Sequence, residues 1–303
     1  MPALRVPGAV LTAFLFLGTW LACAPEDGEQ GGGSTSAGAA AGQVLFGEPL
    51  ALGGGSARTF VEIDAEGHPT RLGVAFGESM LQSLPTEPDG TMPCFDADGD
   101  GSLDESAECM LGVQRDLELP AGTPASVPFR WVGLNWNPEG HPAPAPPVYG
   151  VPHFDFHFYL PGPEAIAAIR PGPCGFMVDC EVFEHGRAPI PEPYMPVDYI
   201  EVGAVAAGEG NHLLDGTSPE LGDPPQDFTH TFIYGAHDGH IIFYEPMIAE
   251  AFLAGRPDEC HPIKQPKAWE VAGDYPTEYC MRYLPAERVY EVSLERFVSR
   301  EAT

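Results

Sequence analysis

One stretch constrains the fold of this chain more than any other. Pro152-His153-Phe154-Asp155-Phe156-His157-Phe158-Tyr159 alternates polar and aromatic side chains without a break. Successive side chains of a β-strand point to opposite faces, so the pattern predicts a strand over His153–Leu160. Phe154, Phe156 and Phe158 share the face that must be core. His153, Asp155 and His157 share the other, which meets water, a ligand or a metal.

Other segments follow the same logic. Arg58–Asp64 and Arg71–Phe76 lie either side of the turn-rich Glu66-Gly67-His68-Pro69 and predict a hairpin. Phe228–Gly235 and His240–Tyr244 flank Ala236-His237-Asp238-Gly239, a natural hairpin connection. Ser126–Asn135 and Val289–Val298 predict two further strands. Helical signals are short: Glu78–Leu84, Pro163–Ile169, and Pro246–Leu253 opened by its proline and closed by Gly255. The 36 Gly and 34 Pro imply many turns, with long proline-rich loops over Asn137–Pro152 and Pro171–Pro196. The expected fold is mainly β, an antiparallel sandwich or barrel with a few short helices. It is expected as a single domain over residues 43–303, with a loop inserted at 94–109.

The residues before it read differently. Arg5 precedes the apolar run Val10–Leu21, too short to span a bilayer and of signal-peptide length. Ala22-Cys23 follows, a small residue before a cysteine, as lipoprotein signals have it. Trp20 is bulky for that pattern and Leu21 sits one place late, and cleavage nearby with secretion is the alternative. The expectation is a signal peptide over 1–22, a lipid on Cys23 and a Gly/Ser/Ala tether over 23–42. The chain would then be exported and held at a membrane, facing the periplasm or the cell surface. Beyond Cys23 stand Cys94, Cys109, Cys174, Cys180, Cys260 and Cys280, an even set that suits disulfides in an oxidising compartment. Pairing of sequence neighbours is the economical choice, and no C-x-x-C pair supports metal-bound thiols. A formal charge of −30 with no basic patch excludes nucleic acid as a partner.

The sharpest motif is Asp96-Ala97-Asp98-Gly99-Asp100-Gly101-Ser102-Leu103-Asp104. Calcium takes oxygen ligands, and carboxylates at alternate positions of a tight loop supply them. Asp96, Asp98 and Asp100 fill the first three ligand positions, Ser102 offers its carbonyl and Asp104 follows. The expected bidentate glutamate is displaced: Ala107 holds that position, Glu108 lies one place late, and Glu105 is the other choice. With no evident flanking helices, this is a lone EF-hand-type loop stapled by Cys94 and Cys109, with a structural Ca2+. A solvated acidic turn is the plain alternative.

Imidazole and carboxylate together suit zinc, copper or iron. Strand residues two apart lie about 6.6 Å apart and can share an ion, while residues four apart lie about 13 Å apart and hardly can. Asp155 therefore pairs with His153 or with His157. His212 and Glu245 are the expected further ligands, with His141 and His230 as weaker candidates. His237 and His240 flank a turn and are expected to be exposed. With an open metal position, Glu245 could serve as general base to a bound water. Ordinary solvated positions over an aromatic core are the alternative. No G-x-S-x-G, H-E-x-x-H, P-loop or dinucleotide fingerprint competes.

Gly140-His141-Pro142, the segment Tyr149–Tyr159, Gly210-Asn211-His212 and the segment Phe232–Met247 together resemble an uncharacterised family of exported bacterial proteins, a domain of unknown function. The resemblance covers most of Gly53 to Leu253, including the phrases around Arg58–Asp64 and Arg71–Pro85. It implies a β-rich domain with a shared polar site around His153, Asp155, His157, His212 and Glu245, and no established activity. The family pattern MGxHW is replaced here by Glu209-Gly210-Asn211-His212-Leu213, and the acidic loop resembles an insertion particular to this branch. The sequence thus points to an exported, lipid-anchored metal-binding protein of the cell envelope. A metal-dependent hydrolase or lyase is one alternative. A non-catalytic assembly module that buries the 153–159 face against a second copy is another.

Overall fold

In the computed structural model, residues 42–141 and 145–303 are described, so the expectations for the signal peptide, Cys23 and nearly all of the tether lie outside the described residues. The strands of the first half are β1 (Gln43–Phe46), β2 (Leu50–Leu52), β3 (Gly55–Ile63), β4 (Pro69–Gly77), β5 (Val113–Glu118), β6 (Trp131–Asn137), β7 (His153–Tyr159) and β8 (Pro171–Cys174). Those of the second are β9 (Tyr199–Ala206), β10 (Gly210–Asp215), β11 (His230–His237), β12 (His240–Ala249), β13 (Asp258–Pro262), β14 (Gly273–Tyr275), β15 (Glu278–Leu284), β16 (Val289–Glu295) and β17 (Val298–Arg300). The antiparallel sheets form a sandwich, not a closed barrel. One sheet runs β1-β3-β4-β16-β15-β13 with β2 on β3, and the other runs β5-β6-β7-β12-β11-β10-β9.

The main core lies between the two sheets. Phe154, Phe156 and Phe158 of β7 enter it as alternation requires, and Phe76 of β4 meets Phe154 and Phe156 at centroid distances of 5.9 and 6.3 Å. Fully burying a side chain of this size removes about 1.5–3 kcal/mol of unfavourable hydration. A smaller apolar cluster, including Trp131, Tyr149, Tyr159, Phe243 and Met247, covers the outer face of the second sheet. The polar side of β7 is therefore roofed rather than left in water.

The β3–β4 hairpin forms as expected, and so does β11–β12. Asp238 and Gly239 both take positive φ, 52° and 79°, as a two-residue turn of this twist demands. Four expectations change. Pro246 lies inside β12, and the helix is confined to Glu250–Ala254. The β12 ladder to β7 registers Phe243 and Tyr244, then Met247 to Ala249, so a proline with no N–H to give falls in the gap. The strand expected from Ser126 begins at Trp131, after Pro128 and a turn from Pro124 to Val127. The terminal strand breaks at Arg296, whose φ of 53° ends β16. A helix over Cys180–Gly186, capped by Asp179 through the N–H groups of Glu181 and Val182, occupies what reads as loop.

The disulfides are Cys94–Cys109, Cys174–Cys180 and Cys260–Cys280, the sequence-neighbour pairing. The first closes the base of the acidic loop and the last links partners in the β13–β15 register.

Candidate metal centre

The site is built on the outer face of the second sheet. β7 contributes His153, Asp155 and His157, all buried. β6 sets Asn137 opposite His153, Asn135 opposite Asp155 and Gly133 opposite His157. β12 adds Glu245, β10 adds His212, and the turn before β10 adds Glu209. His212 lies opposite Gly235 of β11. A Cβ at Gly235 would overlap the ring of Phe243. That ring packs edge-on against His157 and His212, at 4.8 and 5.1 Å. A glycine on β11 thus lets one aromatic ring position two imidazoles.

The polar groups fall into two sets. In the first, His212 Nδ1 lies 3.0 Å from the Ala204 carbonyl, so it carries the proton and leaves a lone pair on Nε2. That Nε2 faces His157 Nε2 at 3.5 Å, Glu209 Oε2 at 3.5 Å and Glu245 Oε2 at 3.8 Å. His157 Nε2 is in turn 3.5 Å from Glu245 Oε2. Donors around a tetrahedral zinc with bonds near 2.1 Å are spaced about 3.4 Å apart. Both Glu245 oxygens are buried without a hydrogen-bond partner.

In the second set, His153 Nδ1 lies 2.6 Å from the Val151 carbonyl, which leaves the lone pair on Nε2. His153 Nε2 faces Asp155 Oδ1 at 3.4 Å, and both atoms are buried without a hydrogen-bond partner. His141 Nε2 lies 3.4 Å from Asp155 Oδ2, which also accepts a 2.6 Å hydrogen bond from Asn137 Nδ2. Asn135 Nδ2 donates to Glu209 Oε1 at 2.6 Å, fixing that carboxylate.

Burial dominates the electrostatics. It holds His157 down to about 3 and His212 down to about 4, so both are neutral ligands at pH 7. It pushes Glu209 up to about 7, helped by the charge on Asp155, and pushes Glu245 well above the carboxylate range, helped by Asp155 and Glu209. Asp155 runs the other way, because its neighbours His153 and His141 outweigh the burial that would raise it. Among the described residues, no Lys or Arg pairs with Asp155, Glu209 or Glu245. A metal ion would satisfy the lone pairs and the carboxylates together.

A cavity of about 370 Å³ opens onto this face. Glu209, His212, His141 and Asn137 supply its polar lining, and Met92, Met110, Met177 and Met247 much of its apolar wall. Glu245 does not line it. Of the two pairings that strand spacing left open, the structure brings Asp155 to His153, while His157 belongs to the other set. Glu209 had no place in the sequence reading. Its signal was the Glu-x-x-His spacing to His212, visible but uninterpretable without the turn at Gly210, whose φ is 126°. His230 lies apart beside Glu259 and His261, and His240 is exposed on Glu270.

The acidic loop is a separate feature. Asp96, Asp98 and Asp100 can bring one oxygen each within 4.8 Å of one another. Each also caps backbone: Asp96 accepts from Gly99 and Gly101, Asp98 from Asp100, Asp100 from Ser102, and Asp104 from Ser106. Glu108 is buried and turned onto the N–H groups of Ala97, Asp98 and Asp104, so it organises the loop from within.

No protein-family model, curated protein or solved structure matches the chain, so the geometry of the site carries the functional reading.

Proposed function

We propose that this protein is an exported, lipid-anchored metal-binding protein whose transition-metal site is formed by His157, Glu209, His212 and Glu245. One observation carries the reading. Two imidazoles and two carboxylates gather in a buried place, with neighbouring donor atoms 3.5–3.8 Å apart and no Lys or Arg among the described residues paired with them. Nitrogen and carboxylate oxygen favour zinc, with iron or copper next. The aspartate loop takes a structural Ca2+ in the same reading, supported by its spacing and by positive φ at Gly99 and Gly101. The disulfides support an oxidising destination.

A hydrolytic or lyase activity is the second reading, favoured by the cavity that reaches Glu209 and His212. In that reading Glu209, rather than Glu245, is placed to take a proton from a water in the cavity. The test is metal content of the mature protein purified without chelator or affinity-tag metals. One zinc, iron or copper per chain, lost in His157→Gln and His212→Gln, is expected. A protein free of transition metal that gains none on dialysis against Zn2+ would overturn the proposal. Mass analysis of the mature N-terminus checks the anchor, with a lipid-modified Cys23 expected.

A further inference from the structure

We propose that His141, His153 and Asp155 hold a second metal ion beside the first, so that the roofed face of the sheet carries a two-ion centre. The proposal rests on the reading of His157, Glu209, His212 and Glu245 as a metal site. It begins with a proton count. The Val151 carbonyl at 2.6 Å obliges His153 Nδ1 to be the N–H. The ring therefore points a lone pair at Asp155 Oδ1, itself an acceptor, across 3.4 Å. Both atoms are fully buried and neither has a hydrogen bond. Acceptors facing each other out of water repel unless a cation lies between them. His141 brings a third donor, and one ligand atom from each of the three residues lies within 4.8 Å of the others.

The surroundings are those of a metal site. The Val151 carbonyl orients one imidazole and the Asn137 amide fixes the carboxylate, the supports that metal ligands require. The charge count agrees. Asp155, Glu209 and Glu245 are buried carboxylates with no Lys or Arg partner among the described residues. A single divalent ion on Glu209 and Glu245 leaves Asp155 facing only two imidazoles and the Asn137 amide, and a second ion would set a full positive charge beside it. The two ions would also differ in kind. The first has His157, Glu209 and His212 within mutual reach, with Glu245 beside both imidazoles to complete it. The second has three donors, and His141 and Asn137 face the cavity, so its free positions open there. Three protein ligands with an open position is the pattern of a reactive rather than a structural zinc. Its exogenous ligand would be water or a small neutral oxygen or nitrogen donor. The cavity wall is apolar and methionine-rich, and no Lys or Arg among the described residues lines it to recruit an anion.

The experiment is a Zn2+ titration of the chelator-stripped, disulfide-intact mature protein by calorimetry, with bound metal measured after dialysis. Wild type is compared with His141→Ala, Asp155→Asn and His212→Gln. His141 is partly exposed on a loop, so its replacement leaves the sheet intact. Reading the difference from wild type cancels ions held elsewhere, such as at His230, Glu259 and His261. His141→Ala and Asp155→Asn are each expected to lose one equivalent, or to weaken one binding phase at least tenfold, while the other phase persists. His212→Gln should lose the other equivalent. If His141→Ala and Asp155→Asn bind as much zinc as wild type with unchanged affinity while His212→Gln loses an equivalent, the second ion is overturned and the first stands. If none of the variants loses zinc, the first site fails as well.

Discussion

The chain gathers carboxylates in two places and treats them oppositely. In the acidic loop, Asp96, Asp98, Asp100 and Asp104 are largely exposed and each accepts hydrogen bonds from nearby backbone N–H groups. The loop is complete as a set of turns, and an ion there adds to an arrangement that already holds. On the roofed face of the sheet, Asp155, Glu209 and Glu245 are buried, and most of what they face is imidazole lone pairs. Water answers the first group and nothing in the protein fully answers the second. Burial decides the difference, because an uncompensated charge in a dry place is far more costly than one in solvent.

Glu78 shows how the same fold handles a buried carboxylate without metal. It is 5% exposed, and the guanidinium groups of Arg288 and Arg256 close on it. Those arginines hold it below the ordinary glutamate range. The roofed face has no such partner among the described residues.

The contrast can be broken by experiment, starting where the effect is largest. Removing transition metal with a chelator should lower Tm by about 10 °C, because a ligand at a thousandfold over its Kd contributes about 4 kcal/mol. Differential scanning calorimetry of stripped and zinc-reloaded protein checks this, and equal Tm values would mean that the buried face manages without an ion. Gly235→Ala comes next. Its methyl group would collide with the Phe243 ring that positions His157 and His212. Overpacking should cost about 1–3 kcal/mol in urea unfolding and weaken zinc binding with it. Calcium removal should be milder, about 1–2 kcal/mol, since lone extracellular loops bind calcium weakly. Parallel calorimetry in calcium and in a calcium-selective chelator separates it from the first effect.

Glu78→Gln should have the smallest consequence, because its arginines are more than half exposed and regain water. Its sign is defined. A carboxyl lowered in the fold stabilises above its unfolded pKa, and the gain is lost as pH falls through its folded pKa. The variant should therefore be less stable than wild type at pH 7 and indistinguishable from it at strongly acid pH. A difference that persists in acid would assign Glu78 a packing role.

Much of this was legible in the chain because it is local. Strict alternation in residues 153–159 specified a strand, its core face and its polar face. Asp238-Gly239 specified a tight hairpin, and disulfides between sequence neighbours closed short loops. What escaped depends on distant elements. Pro246 reads as a helix start, but its neighbours on both sides hold β12 extended through it. Glu209 reads as one acid among many in a chain with 44, until the turn at Gly210 aims it at His212. Spacing along β7 separated His153 from His157, but which of the two takes Asp155 could not be read from it. That follows from which carbonyls take up His153 Nδ1 and His212 Nδ1.

The central claim is that the buried lone pairs converge on an ion. Plasma mass spectrometry of the protein, purified without chelator or affinity-tag metals, tests it most directly. The account predicts at least one zinc, iron or copper per chain, and its loss in a His157→Gln, His212→Gln double variant that keeps the wild-type circular dichroism. A fully folded protein carrying calcium alone, with the double variant equal to wild type in metal content and Tm, would contradict it.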